Sequence, residues 1–133
     1  MTQLDAIRLR TLARQLVIRR GAARADGERL LQRLDSAIVV PSNTVAEDLV
    51  TMNSALLYED LATGETTAAT LVYPEQANPQ VGRISVLSDV GWTVLGLRAG
   101  QAAKVGGLDS RKRHWLRVLE VRFQPEAAAQ RML

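Results

Sequence analysis

The stretch that decides the fold is Ala-Leu-Leu-Tyr-Glu-Asp-Leu-Ala-Thr-Gly-Glu-Thr-Thr-Ala-Ala-Thr-Leu-Val-Tyr, residues 55–73. Both of its ends are rich in aliphatic, aromatic and threonine side chains, which favour strands. Its centre, 62–65, contains Gly64, which can adopt the positive φ that a tight turn requires. The stretch therefore predicts two strands, 55–60 and 66–73, joined by a turn.

Further strand patterns flank this pair. They predict four more strands, over residues 49–52, 83–87, 101–105 and 114–124. In the last of them the apolar positions alternate as Trp115, Val118 or Leu119, Val121 and Phe123. Ser88 is a typical helix N-cap and predicts a short helix over 89–96, and the alanine-rich tail beyond Pro125 predicts a frayed helix. Together these elements predict an antiparallel β-sheet with one short helix over it.

The first 40 residues follow a helical pattern instead. Residues 3–19 contain neither glycine nor proline, and their leucines recur on one face, at Leu9, Leu12 and Leu16, with Leu4 and Ile7 extending it. A second helix fits 28–37, with an apolar side made of Leu30, Leu31, Leu34 and Ile38. Since the link over 20–27 is short, we expect the helices to pack as an antiparallel hairpin, a short coiled coil.

This organisation belongs to the α+β class. We predict a helical hairpin over residues 1–40, a linker over 41–48 and a sheet domain over 49–133. Residues 1–33 carry eight arginines and three acids, a net charge of +5, whereas 34–133 carry nine basic and eleven acidic residues, a net charge of −2. A basic arm of this kind is attracted to nucleic acid or to an acidic protein surface.

Composition excludes several function classes. The chain has no cysteine and a single histidine, His114, so thiolate and histidine metal sites are not expected. It contains no phosphate-binding loop, dinucleotide fingerprint or Ser-His-Asp motif. No apolar run approaches the roughly 20 residues that span a membrane, and a signal peptide is not expected. We therefore expect a cytoplasmic binding protein without catalytic residues, cofactor, metal or small-molecule substrate.

Residues 49–124 carry short motifs in a particular order. They are Val50-Thr51-Met52-Asn53-Ser54, Glu59-Asp60-Leu61 with Thr63-Gly64-Glu65, Leu71-Val72-Tyr73-Pro74, Gly82-Arg83-Ile84-Ser85-Val86-Leu87-Ser88, and Leu119-Glu120-Val121 through Gln124-Pro125-Glu126-Ala127-Ala128. In this order and spacing they resemble the C-terminal domain of the GreA/GreB transcription elongation factors. The first and last motifs are more particular to the nucleoside diphosphate kinase regulators of that superfamily.

The resemblance implies an FKBP-like fold for the C-terminal domain, without implying prolyl isomerase activity. It also implies binding to RNA polymerase near its secondary channel, with the hairpin directed into the channel and the nucleic acid of the elongation complex close by. In the Gre factors an acidic pair at the hairpin tip helps to hold a Mg²⁺ ion, and the polymerase then cleaves backtracked RNA.

The predicted tip offers Asp26 and Glu28 for that role. They are either a shared Mg²⁺ ligand pair, or an N-cap (Asp26) followed by an acid in the first helical turn. Arg19, Arg20 and Arg24 crowd the same tip and would repel a cation, which favours the second interpretation. The arginines themselves are either a solvated helix face or an electrostatic docking arm for an acidic channel entrance.

A second candidate contact corresponds to a segment that, in the Gre family, touches the rim of the polymerase channel. Its predicted contact residues here are Ser88, Asp89, Gly91 and Trp92. A proline usually follows the serine, whereas this chain has Asp89, and Trp92 replaces a small or basic residue. Trp92 is either a buried core residue or an exposed anchor for the partner.

Three functions remain open at this point. The leading hypothesis is a regulator that binds RNA polymerase, occupies the secondary channel region and competes with Gre-type factors without stimulating transcript cleavage. The alternative is a Gre-type cleavage factor that uses Asp26 and Glu28. A third is a stress-related adaptor that binds another protein through the same domain.

Overall fold

Helices occupy the start of the chain and strands the rest in the computed structural model, which describes residues 1–35, 37, 39, 47–105 and 114–125. The α+β class is confirmed. The chain divides into two compact units, Met1–Thr44 and Val45–Leu133. The features predicted at Ile38, in most of the linker and in the alanine-rich tail lie outside the described residues. Within these residues, no helix has the length and apolar character needed to cross a membrane.

The N-terminal unit contains a pair of helices, α1 (Gln3–Val17) and α2 (Ala22–Asp35). Thr2 caps α1, because its side-chain oxygen accepts a hydrogen bond from the Asp5 backbone N–H at 3.1 Å. The two helices pack against each other, and their buried apolar positions are Leu9, Ala13, Gly27, Leu30 and Leu34. Burial of each leucine contributes about 1.5–3 kcal/mol, so packing rather than helix propensity stabilises the pair.

The hairpin differs from its prediction in two respects. Helix α2 begins at Ala22 rather than at 28, since the alanine-rich segment 22–25 favours helix and Gly27 is accommodated within it. The buried apolar positions of α1 are Leu9 and Ala13, whereas the other predicted apolar positions are half-buried (Leu12, Leu16) or exposed (Leu4, Ile7). The turn between the helices is therefore much shorter than the predicted link.

The C-terminal unit is built on a five-stranded sheet. Its strands are β1 (Ala55–Asp60), β2 (Thr66–Val72), β3 (Arg83–Ser85), β4 (Ala102–Val105) and β5 (His114–Phe123), in the spatial order β3-β2-β1-β5-β4. The predicted antiparallel pair of β1 and β2 is confirmed, and Gly64 has a φ of +77° in the turn between them. Ser88 caps the short helix α3 (Asp89–Val94), as predicted.

One strand pair departs from the predicted antiparallel sheet. Strands β2 and β3 run parallel, with Leu71 opposite Ile84. Two 3₁₀ helices, Pro74–Gln76 and Pro79–Val81, lie between them. They carry the chain back along the sheet before β3 begins, and a tight two-residue turn could not give this parallel pairing.

The strand predicted over 49–52 was wrong, because among the residues that the structure describes only Leu49 of this segment forms a bridge. The segment turns back on itself instead. The Thr51 N–H donates to Ser54 Oγ at 2.9 Å, and the Ser54 N–H donates to the Thr51 carbonyl oxygen at 3.1 Å. Asn53 between them has a φ of +67°. Hydroxyl side chains that bond to the nearby backbone compete in this way with strand pairing.

Strand β5 contains two register shifts against β1, and they decide which side chains reach the core. At a β-bulge two residues of one strand oppose one residue of its partner. The core-facing side chains of β5 are consequently Leu116, Val118 and Val121. Trp115 and Phe123 lie on the other face and are 51% and 52% exposed. The predicted apolar alternation of this strand was therefore wrong at both of its ends.

Aliphatic side chains fill the core of this unit, as the low aromatic content of the chain requires. The most completely buried are Val50, Leu56, Leu71, Val86, Val94, Leu116 and Val118. Val94 belongs to α3, which packs against β3 and β4. This packing fixes α3, and with it the capping segment at Ser88, to the sheet.

Candidate functional site

The hairpin turn is a short segment, residues 18–21, between α1 and α2. Gly21 has a φ of +73°, and its carbonyl oxygen accepts a hydrogen bond from the Ala25 N–H at 3.3 Å, which starts α2. Arg19 and Arg20 are exposed on this turn, and neither forms an ion pair with any described residue. Two guanidinium groups thus face solvent at the end of the hairpin.

The other three predicted tip residues lie within α2 rather than on the turn. Arg24 Nε donates to Glu28 Oε1 at 3.1 Å, one helical turn further along. The prediction of Asp26 as an N-cap and Glu28 as a first-turn acid was wrong, because α2 begins at Ala22. Residues two apart point about 200° from each other around a helix, so Asp26 and Glu28 do not present one chelating pair.

The second predicted contact begins at Ser88, which has two hydrogen bonds. Its Oγ accepts from the Gly91 N–H at 3.0 Å and donates to the Ser85 carbonyl oxygen at 2.6 Å. Asp89 follows in the first turn of α3, and its carbonyl oxygen accepts from Thr93 Oγ1 at 2.7 Å. Ser88 and Asp89 are both exposed, so this end of α3 is accessible to a partner.

Gly91 and Trp92 lie deeper in the same segment. Gly91 is buried, and a Cβ built on it would collide with the Ser85 carbonyl oxygen. Only glycine fits there, so Gly91 allows α3 to pack closely against the backbone of Ser85, and it has no side chain that could contact a partner. Trp92 is half-buried, between the two predicted alternatives of core residue and exposed anchor.

Two further surfaces were not singled out from the sequence. One is a cleft of about 610 Å³, whose polar side chains are Asn53, Thr70, Glu75, Gln76, Asn78 and Arg83. The other is the exposed face of β5 that carries Trp115 and Phe123. For the cleft, Asn53 belongs to the motif of residues 50–54, but that motif indicates only the family resemblance and does not predict a cleft. For β5, the order of apolar and polar side chains along the strand does not reveal its register shifts, so its exposed face could not be predicted.

Comparison with known proteins places sequence and fold in one family. The model for the C-terminal domain of the GreA/GreB transcription elongation factors matches residues 45–123. The regulator of nucleoside diphosphate kinase of Escherichia coli K12 is 35% identical over 136 aligned residues, which cover 100% of this chain and 95% of that protein. Transcription elongation factor GreA of Desulfovibrio desulfuricans is 32% identical over 87 residues, 65% of this chain and 54% of that protein.

The same relationship holds for solved structures. The prokaryotic transcription elongation factor GreA/GreB from Nitrosomonas europaea superposes with a TM-score of 0.67 at 30% sequence identity, covering 92% of this chain and 98% of the other. The predicted resemblance is thereby confirmed. The chain belongs to the GreA/GreB family of transcription elongation factors and, within it, to the regulators of nucleoside diphosphate kinase.

Proposed function

We propose that this protein is a non-catalytic regulator that binds RNA polymerase, occupies the region of its secondary channel and competes there with Gre-type factors without stimulating transcript cleavage. Membership of the GreA/GreB family supports the polymerase as the partner. The proposal places the protein in the cytoplasm, close to the nucleic acid of the elongation complex.

The observation that carries the proposal is the basic hairpin turn. Arg19 and Arg20 are exposed at its end, and the N-terminal 33 residues carry the excess positive charge of the chain. Positive charge concentrated at the end of a helical hairpin raises the rate of encounter with an acidic surface. The hairpin is therefore suited to entering an acidic opening in a partner protein.

The arrangement of the acidic residues argues against a role in cleavage. A factor that delivers Mg²⁺ needs two carboxylates that converge on one ion. Asp26 and Glu28 diverge around α2, and Arg24 already pairs with the Glu28 carboxylate. The turn itself carries arginines instead, which repel a cation. Occupation of the channel is thus the better supported mechanism.

A second contact is proposed at the start of α3, in the other compact unit. Ser88 and Asp89 are exposed there, and Trp92 is half-buried beside them. The cap at Ser88 and the close packing of Gly91 hold this segment in one conformation. A preorganised segment loses less conformational entropy when it binds, so we propose it as the contact to the rim of the channel.

Two assays test the proposal. The first measures binding of the full chain to core RNA polymerase and its displacement by a Gre factor from the same organism. The second adds the chain to a stalled, backtracked elongation complex and follows the length of the transcript. We expect binding, mutual competition and an unchanged transcript, with the Gre factor as the positive control for cleavage.

Each assay separates the proposal from one alternative. A transcript that shortens with the wild-type chain, and no longer shortens with Asp26→Ala, would establish a cleavage factor. Absence of polymerase binding at micromolar protein would overturn the proposal. Affinity capture from a lysate would then be needed to find the partner of a stress-related adaptor.

A further inference from the structure

The cleft of about 610 Å³ in the C-terminal unit lies beside strand β2. We call it the amide cleft, because three of its polar side chains are amides; the full polar set is Asn53, Thr70, Glu75, Gln76, Asn78 and Arg83. We propose that the amide cleft binds a short peptide with free ends, whose α-carboxylate contacts Arg83 and whose α-ammonium group contacts Glu75. The inference goes beyond the proposed function and uses none of the residues proposed to contact the polymerase.

Backbone hydrogen bonds hold both walls of the amide cleft against β2. On the side of β1, the Asn53 N–H donates to the Leu71 carbonyl oxygen at 2.6 Å. On the side of β3, Arg83 pairs with Thr70 of β2, and the backbones of Asn78 and Arg83 exchange two hydrogen bonds of 2.9 Å and 3.0 Å. The cleft is therefore formed before a ligand arrives, which lowers the entropy cost of binding.

The polar side chains of the amide cleft are available to a ligand. None of the six forms a hydrogen bond or an ion pair with any residue that the structure describes. This holds even for Glu75 and Arg83, which carry opposite charges and line the same cleft. A negative and a positive group are thus presented separately, together with three amides and a hydroxyl.

The charges of the lining restrict the class of ligand. The described lining contains one acid and one base, so it has no net charge. Phosphate groups are bound by clusters of basic side chains, whereas here Glu75 would repel them. The described lining also contains no aromatic side chain on which a nucleic acid base could stack. A ligand with one negative and one positive group matches the cleft instead.

The amides identify the rest of that ligand as peptide. Each amide side chain carries a donor and an acceptor, and so does each peptide group, so the two can form paired hydrogen bonds. An arginine binds a carboxylate through two parallel N–H···O bonds, and a glutamate accepts hydrogen bonds from an ammonium group. Capture of free peptide ends is a recurring mode of recognition. The lining therefore matches a peptide along its whole length.

The width of the amide cleft sets the length of the peptide. Asn53 and Arg83 lie on opposite sides of β2, so their backbones are about 10 Å apart, two strand spacings of about 4.8 Å each. An extended peptide covers about 3.3–3.6 Å per residue, so two to four residues span this width. A longer peptide would have to leave the cleft at one end and would lose one of its charged contacts.

The experiment incubates the purified full chain with a mixture of synthetic tripeptides of random sequence. Ultrafiltration and mass spectrometry identify the retained tripeptides, and the most strongly retained one is then titrated by calorimetry. We expect a Kd of about 1 mM or below. Amidation of its C-terminus, or acetylation of its N-terminus, should each weaken binding about tenfold or more, because each removes one charged contact.

Two variants assign the ends of the peptide to their contacts. Arg83→Gln should bind about tenfold more weakly and should no longer distinguish the free carboxylate from the amide. Glu75→Gln should lose the preference for a free N-terminus and keep the preference for a free carboxylate. Lys104→Gln and Glu65→Gln make the same charge changes at exposed positions outside the cleft and should keep both preferences.

Loss of one preference with retention of the other is a result that general unfolding would not give, and far-UV circular dichroism checks that every variant is folded. A wild type that retains no tripeptide at about 1 mM overturns the proposal. Equal binding of free and capped tripeptides also overturns it, and so does a preference for either free end that survives in the variant of its proposed contact.

Discussion

Gly27 of α2 lies so close to Ala13 of α1 that a Cβ built on it would stand 2.8 Å from the Ala13 carbonyl oxygen. The same Cβ would stand 2.8 Å from the Leu16 Cβ and 2.8 Å from the Val17 nitrogen. Two of these neighbours are backbone atoms, which cannot rotate away. The hairpin thus depends on a glycine inside a helix, where this residue is otherwise unfavourable.

Gly27→Ala should destabilise the hairpin. In an exposed helix the change would stabilise by about 1 kcal/mol, but here α1 and α2 must separate to admit a methyl group. Overpacking of this kind costs about 1–3 kcal/mol, so we expect a net loss of that order. Urea unfolding followed by far-UV circular dichroism measures it. Gln32→Ala, at an exposed position of α2, is the control and should stay within about 0.5 kcal/mol. Equal stability of the two variants would contradict the close approach.

The cap of α3 gives a second prediction. Ser88→Ala removes both the acceptor for the Gly91 N–H and the donor to the Ser85 carbonyl oxygen. Loss of an N-cap costs about 0.5–2 kcal/mol, and α3 is too short to compensate. Ser88→Thr keeps both groups and should retain most of the stability. Thermal unfolding compares the variants, and a threonine variant no better than the alanine variant would show that the hydroxyl is not needed.

The two predicted elements that held best, the β1–β2 pair and the cap at Ser88, depend on residues near in sequence. Gly64 has the positive φ that the turn between β1 and β2 requires, and the Ser88 hydroxyl accepts from the N–H of Gly91, three residues along the chain. Local chemistry of this kind is visible in a sequence. The direction of β3 was not, because parallel pairing with β2 depends on the path of the two 3₁₀ helices.

The site was harder to predict than the fold, because it depends on contacts between residues far apart in the sequence. Gly27 resembles a helix breaker until the opposing backbone of α1 is known, and the start of α2 was consequently set too late. That error placed Asp26 and Glu28 at the tip. The register of β5 against β1 likewise depends on long-range pairing, so the predicted series of apolar positions did not separate the exposed Trp115 and Phe123 from the core-facing Val118 and Val121.

Asn53 gives a third prediction, about the turn between Thr51 and Ser54. Its φ of +67° lies in the left-handed region, where asparagine is tolerated and glycine is favoured. Asn53→Ala should cost about 1 kcal/mol, the penalty of this conformation for a residue with an ordinary Cβ. Asn53→Gly should be at least as stable as Asn53→Ala. Chemical denaturation ranks the two, and an alanine variant more stable than the glycine variant would contradict the assigned turn.

The hairpin turn gives the last prediction. On the proposed docking of the hairpin turn in an acidic opening of RNA polymerase, Arg19→Glu combined with Arg20→Glu should lower the rate of association by about tenfold or more at low salt, because the long-range attraction is reversed. The deficit should shrink as salt screens the charges. Stopped-flow binding to a labelled polymerase measures both effects.

The control for that measurement must change the net charge equally at residues outside the hairpin. Arg83→Glu combined with Lys104→Glu does so on β3 and β4, at two exposed positions. If attraction is focused at the turn, the control should lose far less of the association rate than the turn variant at every salt concentration. Equal losses would mean that the overall charge of the chain governs the encounter, and the hairpin turn would then have no special part in docking.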